Sequence, residues 1–379
     1  MTTLKAALID TLANPNALVT AADRIDAMYA AYQQLAAGAP WDNGKPEPLS
    51  ADALDFLGRL RGATAAETKK PGAATLQADR GVALGQIETW VQGAVGTACG
   101  AFPHINPFRF AVELALRVRR PSAVNQERTV LCGAAGILSA YFKTDPKRAT
   151  QFALDLVDHG SGQLRQYVIE PVGAVRNQAP PTRFGMAPVD WVMLASLRYH
   201  FEPLAELIGL FSATTADPLR QLTKPALLYS ALSNMGYATV NDRTFGLSSF
   251  SAVTQLASAI TRYGMHAGSE PTQGDANLQL AASDVAAGKL VFLWAYGDLT
   301  DETPVRSKAT PYPNAANTPQ REVDAITFPK LHWTLVRKLI VTPTEVKIRH
   351  YSWGNAREAT FPKAEFLHVY QGYVVADPA

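Results

Sequence analysis

From Leu4 to about Arg61 the apolar residues recur at the spacing of one helix face. Thr20-Ala-Ala-Asp23 caps an amphipathic run through Gln33, and Ser50 precedes a second through Leu60. Gly62 to Leu76 then offers Gly, Ala, Thr, Lys69-Lys70 and Pro71 without an apolar period, which predicts a flexible connection and a domain boundary. Helical spacing returns over Gln77 to Ala98 and Pro107 to Arg120; Arg117, Arg119 and Arg120 suit the helix dipole at its C-terminal end, and Pro121 stops it. Cys132 to Phe142 predicts a buried helix whose first turn is made of small residues. Pro146 to about Gly264 reads as mostly helical, with Pro- and Gly-rich breaks near Glu170 to Pro188.

After Lys289 the pattern changes to strands: Leu290 to Tyr296, Leu331 to Val341, Glu345 to Ser352 and Gly372 to Val375, with a hairpin at Thr342-Pro343-Thr344. The polar, Pro-rich stretch from Gly297 to Phe328 predicts a loop over the end of the sheet. Helices followed by an antiparallel sheet define an α+β chain. The expected division is residues 1–76, a helical region with linker, and residues 77–379, a single domain.

Composition narrows the function. Thirty-five Lys and Arg against 33 Asp and Glu leave a net charge of +2, so no basic field recruits nucleic acid. The longest apolar runs fall well short of the roughly 20 residues that cross a bilayer. Asp10 interrupts the apolar core that an export signal needs, so the chain is expected to be made in the cytoplasm without a cleaved leader. Two cysteines, Cys99 and Cys132, are too few for a disulfide framework. His104, His159, His200, His266 and His368 lack metal-ligand spacing, so neither a metal nor another cofactor is expected.

One constellation carries chemistry. A thiol on the first turn of a helix is stabilised as thiolate by unpaired N–H groups and the helix dipole, and Cys132 sits at such a place. A base must share its proton, and His332, at the start of a predicted strand, is the candidate. Alternation on the following strand puts Val346, Ile348, His350 and Ser352 on one face and Lys347, Arg349 and Tyr351 on the other, so Ser352 or His350 is expected to orient the ring. Gln126, six residues before Cys132, is placed to hold a developing oxyanion together with the Cys132 N–H. Cys99, also among small residues, is a rival nucleophile. In Asp190-Trp191 and the run that follows, the apolar spacing predicts a helix packed on the core.

Gln126-Glu-Arg-Thr-Val-Leu-Cys132-Gly-Ala-Ala135 resembles the papain-like pattern of a glutamine, five residues and the nucleophilic cysteine, and is similar to the Cys-Gly-Ala/Pro-Ala form of double-glycine leader peptidases. Tyr351-Ser352-Trp353-Gly354 resembles the Asn-Ser-Trp-Gly block of papain-like enzymes, with Tyr351 where that family has Asn. Asn125-Gln126, Leu131-Cys132-Gly133 and Asp190 to Arg198 also resemble papain-like toxins of type VI secretion. The resemblance implies a cysteine peptidase with a protein or peptide substrate. As a toxin it would be delivered into target cells without a leader and would have a cognate immunity protein and the secretion apparatus as partners. It also implies that Trp353 shields the histidine and its acceptor. Two alternatives stand beside it. A peptidoglycan amidase would ordinarily carry Asp-Cys-Ser-Gly at the nucleophile, against Leu131-Cys132-Gly133 here, and a non-catalytic papain-like binding protein would explain the departure at Tyr351.

Overall fold

A computed structural model describes residues 3–13, 21–35, 39–67, 74–93, 99–126, 131–180, 186–201, 225–244, 271–296, 331–352 and 354–378. The expected loop over 297–328, most of 202–264, and Trp353 lie outside them, as do the side chains of Ser352 and His368. The elements used below are α1 (Ala21–Gln33), α2 (Ser50–Ala66), α3 (Ala74–Gly93), α4 (Pro107–Arg119), α5 (Cys132–Thr144), α6 (Pro146–His159), β1 (Gly162–Leu164), β2 (Tyr167–Ile169), α7 (Pro188–Phe201) and α8 (Pro225–Asn234). They continue with β3 (Val240–Asp242), α9 (Pro271–Ala286), β4 (Leu290–Tyr296), β5 (Leu331–Val341), β6 (Glu345–Ser352), β7 (Asn355–Pro362), α10 (Lys363–Val369) and β8 (Tyr370–Ala376). The chain is α+β with antiparallel sheets.

It forms two compact units, residues 1–127 with 141–200 and residues 128–140 with 201–379. α2 runs on to Ala66, α3 begins at Ala74, and the two helices pack together within unit 1. Side-chain caps start its helices where the sequence provides them. Asn106 accepts from the N–H groups of Phe108 and Arg109 ahead of Pro107, and Asp145 accepts from Arg148 N–H ahead of Pro146. β1 and β2 form a small hairpin inside a stretch expected to be helical.

Arg117 does more than meet a helix dipole. Its guanidinium is fully buried and forms a two-pronged ion pair with Asp190 at the start of α7; Nε to Oδ1 is 3.1 Å, and Nη2 donates to Oδ2. Asn125 N–H donates to the same carboxylate at 3.1 Å, and Arg109 Nε donates to Glu113 Oε1 at 3.2 Å. Burial alone would lower Arg117, yet Asp190 beside it holds the guanidinium well above its ordinary range. Trp191 is fully buried, as a packing helix requires.

Unit 2 is built on a six-stranded sheet in the order β3-β8-β4-β5-β6-β7. β5 and β6 form the expected hairpin, and β7, the polar run NAREATFP, extends it. One face carries Val291, Leu293, Ala295, Val336, Ile348 and Val375 against Leu278 and Ala281 of α9 and Phe366 of α10. Between Val336 and Lys338 β5 has one residue more than β6, so Arg337 is a bulge and Leu339 still turns toward that core. Among the described residues no helix is long and apolar enough to cross a membrane.

Candidate active site

Cys132 is the first residue of α5 and is 3% exposed. At 100° per residue, Cys132, Gly136 and Ser139 share one helix face. A Cβ at Gly136 would stand 3.3 Å from the Phe292 ring, so the missing side chain is what lets α5 lie close on β4. Arg337 Nη2 donates to Ser139 Oγ at 3.2 Å. Phe292 pairs with Leu335, and Arg337 lies beyond Leu335 along β5. The two contacts hold α5 on the β4–β5 face within unit 2, the unit that also carries His332.

The pleat, however, sends His332 to the other face. His332 pairs with Ala295 and alternates with Thr334 and Val336, which turn toward the α9 core, whereas Phe292, Trp294, Trp333 and Leu335 turn toward α5. The helix that carries the thiol and the His332 side chain thus belong to opposite faces of the sheet. Sequence parity on one strand could not reveal this, because it says nothing about which face the helix covers. Burial, with His350 and Arg357 nearby, pushes His332 down to about 3, so its ring is held neutral.

His350 shares the face of His332, as expected from alternation. Its Nδ1 lies 2.7 Å from Thr334 Oγ1, and the Thr334 hydroxyl donates to the Tyr351 carbonyl. With that one proton committed, the hydrogen-bond pattern assigns the proton in the shared contact to His350 Nδ1. Burial and Arg357 push His350 down to about 4. Thr334 and Arg357, which sequence reasoning passed over, complete this polar cluster, and the even spacing of His332 and Thr334 was the signal for the first of them.

Ser352 pairs with Asn355 through the backbone and has the strand parity of His350. Tyr351 is 2% exposed on the opposite face, paired with Leu335. Gln126 is buried in unit 1, whereas Cys132 belongs to unit 2. Cys99 is 1% exposed, and burial, with Asp158 nearby, pushes its thiol up to about 12, which favours the protonated thiol at neutral pH. Among the described residues no cluster of His, Cys, Asp and Glu could hold a metal ion. Comparison with protein-family models, curated proteins and solved structures gives no match.

Proposed function

We propose that the chain is a papain-like cysteine hydrolase of peptide bonds, with Cys132 as nucleophile. What supports it is that Cys132 begins a helix which the Gly136–Phe292 and Ser139–Arg337 contacts hold on the sheet whose strand β5 carries His332. In this mechanism the Cys132 sulfur attacks the peptide carbonyl, while His332 takes the thiol proton and returns it to the leaving amine. His332 is the second residue of its strand, and its ring must turn past the strand end to meet the sulfur. His350 or Ser352 would orient that ring. The role of antibacterial type VI effector, cutting a protein in the target cell, rests on the sequence resemblance alone.

The pleat favours a second reading, a non-catalytic papain-like core that binds a partner, since it turns the buried, neutral His332 away from the helix face. Alkylation separates the two. A catalytic Cys132 reacts with iodoacetamide faster than a model thiol near neutral pH, and a rate no faster than the model thiol sinks the hydrolase. Expression of wild type and Cys132→Ala in bacterial cytoplasm, with detection of new protein N-termini, then tests peptide cleavage; identical sets of N-termini rule it out.

A further inference from the structure

Within unit 1 two guanidiniums share a single carboxylate. Arg119, the last residue of α4, has a side chain only 4% exposed, and its Nη2 donates to Glu67 Oε2 at 2.9 Å. Gln77 of α3 closes the group: its Nε2 donates to the same Oε2 at 2.8 Å, and its Oε1 accepts from Arg119 Nη1 at 3.4 Å. Arg80 follows Gln77 by three residues on α3, so the two are neighbours on one helix face. Arg119 and Glu67 are the two charges that act on it. Neither guanidinium is fully used. Arg119 Nε and Arg80 Nε are both buried without a hydrogen-bond partner, and among the described residues Arg80 makes no ion pair. Asp79, beside it in the chain, is engaged by Lys147 at 3.0 Å. Burial and the Arg119 charge push Arg80 down to about 10, which still leaves it cationic at neutral pH.

Two cations against one carboxylate give the cluster an excess of one positive charge, and a partly desolvated cation is costly unless an anion accompanies it. The donors left over therefore call for a negatively charged acceptor. One guanidinium fork is enough for a carboxylate, whereas forks brought from two helices suit a tetrahedral oxyanion with more oxygens to share. We propose that Arg80 and Arg119 form a binding site for a phosphate group, entered from the side of Arg80, which is partly exposed while Arg119 is buried. Glu67 sets the strength of that site, since its charge competes with the phosphate for Arg119. The site lies wholly in unit 1, does not involve Cys132, and stands or falls independently of the hydrolase reading.

Isothermal titration calorimetry on the full chain, in chloride at constant ionic strength, tests this with inorganic phosphate and with O-phosphoserine. Wild type should bind inorganic phosphate with a dissociation constant of about 1 mM or below, as two charge-assisted contacts would give. Arg80→Gln removes a charge that no ion pair holds, so it should fold and should weaken binding about 10-fold or more. Arg80→Lys keeps the charge without the fork and should fall between the two. Glu67→Gln keeps an acceptor for Arg119, removes the competing charge and should tighten binding severalfold. Should Arg80→Gln fail to fold, the opposite responses of Arg80→Lys and Glu67→Gln carry the test. O-phosphoserine bound as well as inorganic phosphate assigns the site to a phosphate carried on a larger molecule, and inorganic phosphate bound alone assigns it to the free ion. A wild type that binds neither overturns the proposal. So does binding that is the same in wild type, Arg80→Lys and Glu67→Gln, which would place the phosphate elsewhere on the surface.

Discussion

In unit 1 a guanidinium and a carboxylate, Arg117 and Asp190, are buried together as ions, whereas in unit 2 two imidazoles, His332 and His350, are buried without charge. The difference lies in the partners. Asp190 receives both prongs of Arg117 and the Asn125 N–H, so its lone pairs find donors and the desolvation of each ion is offset. The charges that act on them are of one sign, His350 and Arg357 on His332 and Arg357 on His350, and no carboxylate is among the groups that shift them. A buried base whose burial and cationic neighbours both disfavour its charge gives up its proton. The first arrangement fixes geometry through charge, while the second keeps both rings neutral.

The largest effect should come from breaking the matched pair. Arg117→Met leaves Asp190 buried without its cation and is expected to cost about 3–5 kcal/mol, read from urea unfolding. Adding Asp190→Leu should recover much of that loss in a double-mutant cycle, and a purely additive pair of losses would show that the two charges do not act as a unit.

Acidification should act on unit 2 instead. Both histidines titrate below their ordinary value of about 6.5 in the folded chain, so the unfolded chain binds more protons as soon as pH falls beneath that value. Their contribution is present above about 6.5 and is lost as pH falls toward about 4 and then about 3. Between pH 7 and pH 5 the loss should be on the order of 2 kcal/mol per ring. Hydrogen exchange, corrected for intrinsic rates, should show it in β5 and β6 and not around Arg117. Equal loss of protection in both units would remove the contrast.

Thr334→Val removes the hydroxyl that serves both His350 and the Tyr351 carbonyl and should cost about 1–2 kcal/mol by unfolding. Because no charge is involved, that cost should be the same at pH 7 and pH 8. Gly136→Ala should have the smallest effect, about 1 kcal/mol, since its methyl would meet the Phe292 ring at 3.3 Å and the ring must give slightly.

Much of the fold was legible because local patterns carry it. β4, β5 and β6 begin and end at the expected residues, set by continuous or alternating apolar runs and by the turn at Pro343. β7 was missed because a polar edge strand has little apolar face to show. Arg117 was read as a charge at a helix end because its partner, Asp190, lies 73 residues away and no local pattern joins them. The chemistry was legible only residue by residue. Cys132 does begin a helix, and His332 does share a face with His350, but which face α5 covers depends on Gly136 meeting Phe292, a long-range packing choice that periodicity on either element leaves open.

Arg337 is a residue the sheet could do without. Were it deleted, Val336 and Lys338 would become neighbours, β5 would match β6 one for one, and Leu339 would keep its inward direction. What would vanish is the guanidinium that grips Ser139. The insertion thus works as a docking peg added to an otherwise complete scaffold. A shortened relative of this protein could retain its whole α9-side core and yet lose the contact that holds the cysteine-bearing helix.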